Sequence, residues 1–231
     1  SIGATVVGTD ATLSDLTVSG SSIAGFDANT LNYTVEVAEG ATEVPTVTAT
    51  ASKATVASGD GDTVAFSGNV TATTFSANGL GTITVGGDLT AALVFAATAD
   101  TTGTVSIAAD KKIVGSATTA ADNEGILTFA AATSNITLTD GAIGAADSDN
   151  LLALNVATTS GITSTFGSTV DVTTMTVSGA GTVIITGAAI VPNLDISGNG
   201  TVSALSAISG AVDNTSGANG SGTLTMAATK G

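Results

Sequence analysis

The sequence predicts an all-β fold: a small N-terminal sandwich-like module at residues 1–57, then a parallel β-solenoid at residues 58–231 with coils of about 20–22 residues. Three observations predict it. A glycine-led phrase recurs at near-constant intervals. The side chains suit a narrow all-β interior, at 43% hydrophobic but only 3% aromatic. Residues 1–57 do not follow the repeat and carry their own strand and turn pattern.

The N-terminal elements come first. Ile2, Ala4 and Val6 alternate with small residues, as a strand with one buried face would. Leu13, Leu16 and Val18 mark the next strand, and GFDANTLN from Gly25 is a Gly/Asp/Asn turn region. Tyr33, Val35 and Val37 alternate with Thr34 and Glu36 in a half-buried strand. Val44 to Ala49 makes a further strand, and Pro45, which lacks an N–H, belongs at its start or on a sheet edge.

The order of Leu13, Leu16, Val18, Gly20, Phe26, Asn29, Tyr33, Val35, Val37, Val47 and Ala49 resembles the cadherin-like β-sandwich domains of bacterial surface proteins. The resemblance covers about residues 11–57 and implies a surface-protein sandwich. That family's second half, with its further Tyr-containing strand, is not evident, and Tyr33 is the chain's single tyrosine. Either the sandwich is truncated or its missing strands come from elsewhere.

The repeat follows. It reads GDTVAF from Gly61, GTITV from Gly81, GTVSI from Gly103, GILTF from Gly125, GITSTF from Gly161, GTVIIT from Gly181, GTVSA from Gly200 and GTLTM from Gly222. The steps are 20, 22, 22, 36, 20, 19 and 22 residues, and TDGAIGA around Gly141 can fill the long one. Eight or nine stacked coils are expected. Val64, Ile83, Val105, Ile126, Ile162, Val183, Val202 and Leu224 follow the glycines at matched offsets and should form one inward aliphatic ladder. Asp122–Ala130, Asn135–Thr139, Leu151–Val156 and Thr173–Gly187 are similar to the β-solenoid passenger repeats of rickettsial-type autotransporter surface antigens. That similarity implies cell-surface display and adhesion and leaves the mode of anchoring open.

Charge narrows the function. With 4 Lys or Arg against 19 Asp or Glu, the net charge of −15 argues against nucleic acid and anionic membranes as partners. No apolar run approaches the roughly 20 residues of a membrane helix, so no membrane span is expected. A mean hydropathy of +0.49 fits either a packed all-β core or burial between chains. No cysteine is present, so continuous β-ladders would replace disulfides if the chain is secreted, with Ser1 as a mature terminus.

Chemistry-bearing motifs are few. Histidine, cysteine and arginine are all absent, which removes the commonest general base, thiol nucleophile and phosphate clamp. Asp110 beside Lys111 and Lys112 reads as a charged turn, and GLGTITVGG from Gly79 reads as turn glycines because no helix follows. No catalytic residue is expected. Acidic turns at Asp60–Asp62, Asp122–Glu124 and Asp147–Asn150 are either solvated turns or sites for Ca²⁺, which prefers several oxygen ligands; the Ca²⁺ candidates are Asp60, Asp62, Asp147, Asp149 and Asn150. N-x-S/T sequons stand at Asn32, Asn69, Asn135, Asn199, Asn214 and Asn219.

The expected function is a non-catalytic structural subunit of an extracellular filament, sheath or surface layer. Its partners would be neighbouring copies, with residues 1–10 donating a strand through Ile2, Ala4 and Val6 to an open sandwich edge. The alternative for that segment is the first strand of its own domain. The alternative function is a cell-surface adhesin or autotransporter-type passenger that binds a host or glycan ligand. A polysaccharide-acting enzyme is disfavoured by the missing Arg and His.

Overall fold

The computed structural model describes residues 13–18, 21–25, 47–58, 60–96, 103–145, 150–213 and 222–226. Their regular elements are all β-strands, arranged in a 12-stranded and an 8-stranded sheet. Parallel pairing winds them into a β-solenoid of about seven turns with coils of about 21 residues. At a rung spacing of about 4.8 Å, seven turns span roughly 34 Å.

Each coil passes three columns of paired residues. One column is Val70, Leu89, Ile113, Thr139, Phe166, Ile185, Ala204 and Met226. The second is Ala54, Phe75, Leu93, Ala117, Ile143, Val170, Ala189 and Ile208. The third is Val64, Ile83, Val105, Leu127, Leu154, Met175 and Leu194. Most of these side chains are buried, and the columns merge into one apolar core. Phenylalanines join neighbouring columns edge-on, Phe66 with Phe75 at 5.9 Å and Phe129 with Phe166 at 6.0 Å between ring centroids.

Strand alternation sets the inward face. Thr82–Val85, Thr104–Ile107, Thr182–Ile185 and Thr201–Ala204 each bury their second and fourth residues. Ile83, Val105, Val183 and Val202 are therefore buried as expected, and Val64 and Leu224 are half-buried in the same register. Ile126 and Ile162 are corrections. Ile126 pairs with Thr104, and Leu127 takes the inward place beside Val105. Ser164, not Ile162, pairs with Val183. The inward residue lies one position further from Gly125, and two from Gly161, than the residue proposed. Ile162 precedes the strand Thr163–Phe166, and at Gly125 a one-residue slip exchanges the two faces of a strand.

The proposed single ladder is two ladders. Thr63–Phe66, Thr82–Val85, Thr104–Ile107 and Glu124–Ala132 stack in the 8-stranded sheet. Thr163–Phe166, Thr182–Ile185, Thr201–Ala204 and Thr223–Met226 stack in the 12-stranded one. Phrases therefore do not count coils one for one, which is why eight phrases accompany about seven turns rather than the expected eight or nine.

Behind this lies an internal correspondence. Residues 61–96 and 161–196 carry similar sequence and nearly the same order of strands and turns. Thr63–Phe66 matches Thr163–Phe166, Val70–Gly79 matches Val170–Gly179, and Thr82–Val85 matches Thr182–Ile185. Gly61 and Gly161 share φ values of 73° and 78°, and Gly79 and Gly179 share 97° and 91°. Yet the second block stands one column further round the coil. Val70 is in the first column and Val170 in the second; Phe75 is in the second and Met175 in the third.

The residues between the blocks make the shift. Thr128 pairs with Asn155 on the next rung, 27 residues on, whereas Asn155 pairs with Thr176, only 21 residues on. Lower down, Leu89–Phe95 is covered by two short strands, Ile113–Val114 and Ala117–Thr119, with a bend between them. Gly115 makes the bend at φ 141°, where any Cβ would run into the Ala91 carbonyl. Ile143 then bridges Ala117 below to Val170 above.

At the N-terminal end, Leu13–Val18 lies antiparallel to both Ser21–Ser22 and Val47–Ser58. Val47–Ser58 also pairs in parallel with Val70–Gly79, so one sheet runs from the N-terminal strands into the solenoid across residue 57. The sequence places the first strand correctly and ends the strand after Pro45 nine residues short. The proposed strand at Tyr33–Val37 and the segment carrying Ile2, Ala4 and Val6 lie outside the described residues.

Candidate interaction surfaces

Outward positions of the upper short strands form two hydroxyl columns. Thr163, Thr182, Thr201 and Thr223 pair in succession, and so do Thr165, Ile184, Ser203 and Thr225. Ile184 alone of these lacks a hydroxyl. The ladders run without a register shift, each strand being four residues long and opening on a threonine. A shallow open hollow of about 350 Å³ lies at their lower end, lined by Asn135, Ile136, Thr137, Thr163 and Thr165. The corresponding lower strands carry Thr63, Thr82 and Thr104 beside Ala65, Thr84 and Ser106, on the other ladder.

Asparagines and aspartates stitch successive coils at the turns. Asn69 Oδ1 accepts the Asp88 N–H at 2.9 Å, and Asn135 Oδ1 accepts the Thr163 N–H at 2.8 Å. Asn150 Oδ1 accepts the Asn123 N–H at 3.2 Å, its Nδ2 donates to Thr173 Oγ1 at 3.2 Å, and Thr173 Oγ1 donates in turn to Asn123.

Asp110 is held by several hydrogen bonds. Its backbone is left-handed, at φ 57°. Its carboxylate accepts the Thr133 N–H at 2.8 Å, the Ser134 N–H at 3.0 Å and the Ser134 hydroxyl at 3.0 Å, together with the Thr133 hydroxyl. Those bonds, the Thr133 hydroxyl foremost, lower its pKa from 3.8 to about 2. An acceptor already engaged by four donors is a coil-to-coil staple, not a poised acid or base. The predicted charged turn at Asp110–Lys112 thus has a specific structural task, unsignalled by its own sequence because Thr133 and Ser134 lie a full coil away.

The other proposed sites are dispersed. Asp60 and Asp62 are exposed, and Asn150 is occupied as described. Asp147 and Asp149 lie outside the described residues, among which no three His, Cys, Asp or Glu side chains converge. Of the sequon asparagines, Asn69, Asn135 and Asn199 are exposed, while Asn32, Asn214 and Asn219 lie outside the described residues. No helix among the described residues is long and apolar enough to cross a membrane.

Two buried side-chain atoms among the described residues lack a hydrogen-bond partner, Asn78 Oδ1 and Ser164 Oγ. Ser164 is fully buried in line with Val183 and Val202, and its hydroxyl has no partner. No family model, curated protein or solved structure matches the chain.

Proposed function

We propose that the chain is a non-catalytic structural subunit of an extracellular filament, sheath or surface layer that assembles by β-strand pairing. One observation carries this reading. The 8-stranded parallel sheet ends, among the described residues, at Thr63–Phe66 on one side and Ile208–Asp213 on the other. Val64 and Phe66 at the lower end are only half-buried, whereas the residues above them, Ile83 and Val85, are buried. A strand with an unpaired edge accepts another, and end-on contact between copies would be heterologous, which propagates when its rotation does not close. The donor segment with Ile2, Ala4 and Val6, pairing with a cadherin-like sandwich in the next copy, is the joint of this scheme. Extracellular placement is supported by the resemblance of residues 11–57 to cadherin-like domains of bacterial surface proteins and of the later phrases to autotransporter passenger repeats.

Negative-stain microscopy of the purified chain tests it. Fibres or sheets are expected, and deletion of residues 1–8 should abolish them while the β-sheet circular dichroism persists. Monodisperse short rods at all concentrations would overturn assembly; fibres that survive the deletion would overturn the donor strand. The alternative, a surface adhesin, is supported by the open hollow at Asn135–Thr165 and predicts a monomer that retains a glycan or host ligand.

A further inference from the structure

We propose that the upper hydroxyl face, built on Thr163–Phe166, Thr182–Ile185, Thr201–Ala204 and Thr223–Met226, binds the surface of ice.

The face is periodic in two directions. Hydroxyl-bearing side chains repeat about every 4.8 Å along the solenoid axis and, except at Ile184, about 6.7 Å along each strand. Four rungs hold this array without a register shift. Each hydroxyl donates one hydrogen bond and accepts two, so it can stand in for a lattice water. Each threonine adds a methyl group, which orders the water beside it. Its branched Cβ restricts χ1, so little rotamer freedom remains to be lost on contact. Only a periodic partner can use both repeats at once, and ice is a periodic array of hydrogen-bonding oxygens.

Charge points the same way. Residues 159–168, 180–188, 197–207 and 222–226 contain no Asp, Glu, Lys or Arg, although the chain carries a net charge of −15. An uncharged island in so acidic a chain suits a neutral partner. A crystalline polysaccharide is the other neutral solid, but sugar faces are recognised by aromatic stacking, and the one aromatic residue in these strands, Phe166, is buried. A second copy is a poor fit on size. Four rungs present roughly 200 Å², well below the roughly 800 Å² per partner of a stable protein interface. Ice is a bulk phase, so a contact too small to hold a dilute partner can still be occupied.

The bland explanation is that threonine favours strands. It does not account for the distribution. On the neighbouring face the outward pairs run Ala153 and Asn155, then Thr174 and Thr176, then Asn193 and Asp195, so within equally regular parallel strands the hydroxyls there stop at a single rung. The lower hydroxyl patch is a weaker candidate because Asp62 flanks it and Ile126 ends its threonine column.

The test is ice-crystal shaping and recrystallisation by the purified full chain. The unmodified protein should facet crystals and arrest recrystallisation. The double substitution Thr182→Lys with Thr201→Lys should abolish both effects with an unchanged circular dichroism spectrum. Thr176→Lys, outward on another face beside Asp195, should leave them intact. If the lysine pair unfolds the chain, Thr182→Val with Thr201→Val keeps the shape and removes two hydroxyls, and must weaken the activity. Unshaped crystals with the unmodified chain, full activity in either double variant, or sedimentation with crystalline cellulose or chitin in place of ice activity would each overturn the proposal.

Discussion

Residues 61–96 and 161–196 build matching strands from similar sequence, and still occupy different faces of the same solenoid. The lower block lays Val70–Gly79 across the first and second columns. The upper block lays Val170–Gly179 across the second and third. Local sequence therefore decides what a segment becomes, and the length of chain preceding it decides where that segment sits. Any face will accept the phrase because all three demand the same thing: small or apolar side chains alternating inward at a fixed rung height.

The largest expected effect tests whether matched positions are equally important. Phe75 and Met175 correspond between blocks and are fully buried. Phe75→Ala should cost about 3–5 kcal/mol and Met175→Ala about 2–4 kcal/mol in urea unfolding, with the ring contact to Phe66 adding to the former. Equal losses would show that side-chain size does not separate the blocks.

The seam comes next. Gly144 has φ 69°, and a Cβ there would collide with the Asp171 carbonyl. Gly161 has φ 78° but open space around it. Gly144→Ala should therefore destabilise by about 2–3 kcal/mol and Gly161→Ala by only about 1 kcal/mol, read as shifts in the urea midpoint.

Ser164 offers a change in the other direction. Its counterpart in the lower block is Val64, and its hydroxyl is buried without a partner. Ser164→Val should raise stability by about 1–2 kcal/mol, since an unsatisfied hydroxyl is removed and an apolar column completed. A loss would mean that the site cannot admit the extra methyl.

The smallest effect is one of pH. Asp110 has its pKa lowered from 3.8 to about 2, so its unfolded form binds a proton first as the medium acidifies. Its stabilisation is complete above the unfolded value and is lost as pH falls through about 2. The melting-temperature gap between the native chain and Asp110→Asn should be constant above pH 5 and narrow between pH 4 and pH 2. A gap that does not change with pH would remove the charge from the explanation.

The repeat, the all-β class and the inward positions Ile83, Val105, Val183 and Val202 were legible in the sequence because period-two alternation is local. Ile126 and Ile162 miss the ladder because the number of residues between glycine and strand varies, and Leu127 and Ser164 take their places. The exchange of faces was hidden in the 36-residue step, whose meaning depends on which strand lies beneath which. The acceptors at Asn69, Asp110 and Asn135 were invisible for the same reason: their donors lie 19, 23 and 28 residues away.

The offset between the two blocks bears on how such a chain can change its length. In a closed barrel or sandwich, an inserted copy must replace whole structural units or the core is left open. Here a copied stretch that is no multiple of a coil is absorbed by starting on a different face, with the slack taken up in a turn. Insertions and deletions at the turns are therefore inexpensive, and their visible result is a change of heading. Whatever chemistry the phrase carries outward is re-aimed around the rod axis, with no residue of the phrase itself having to change.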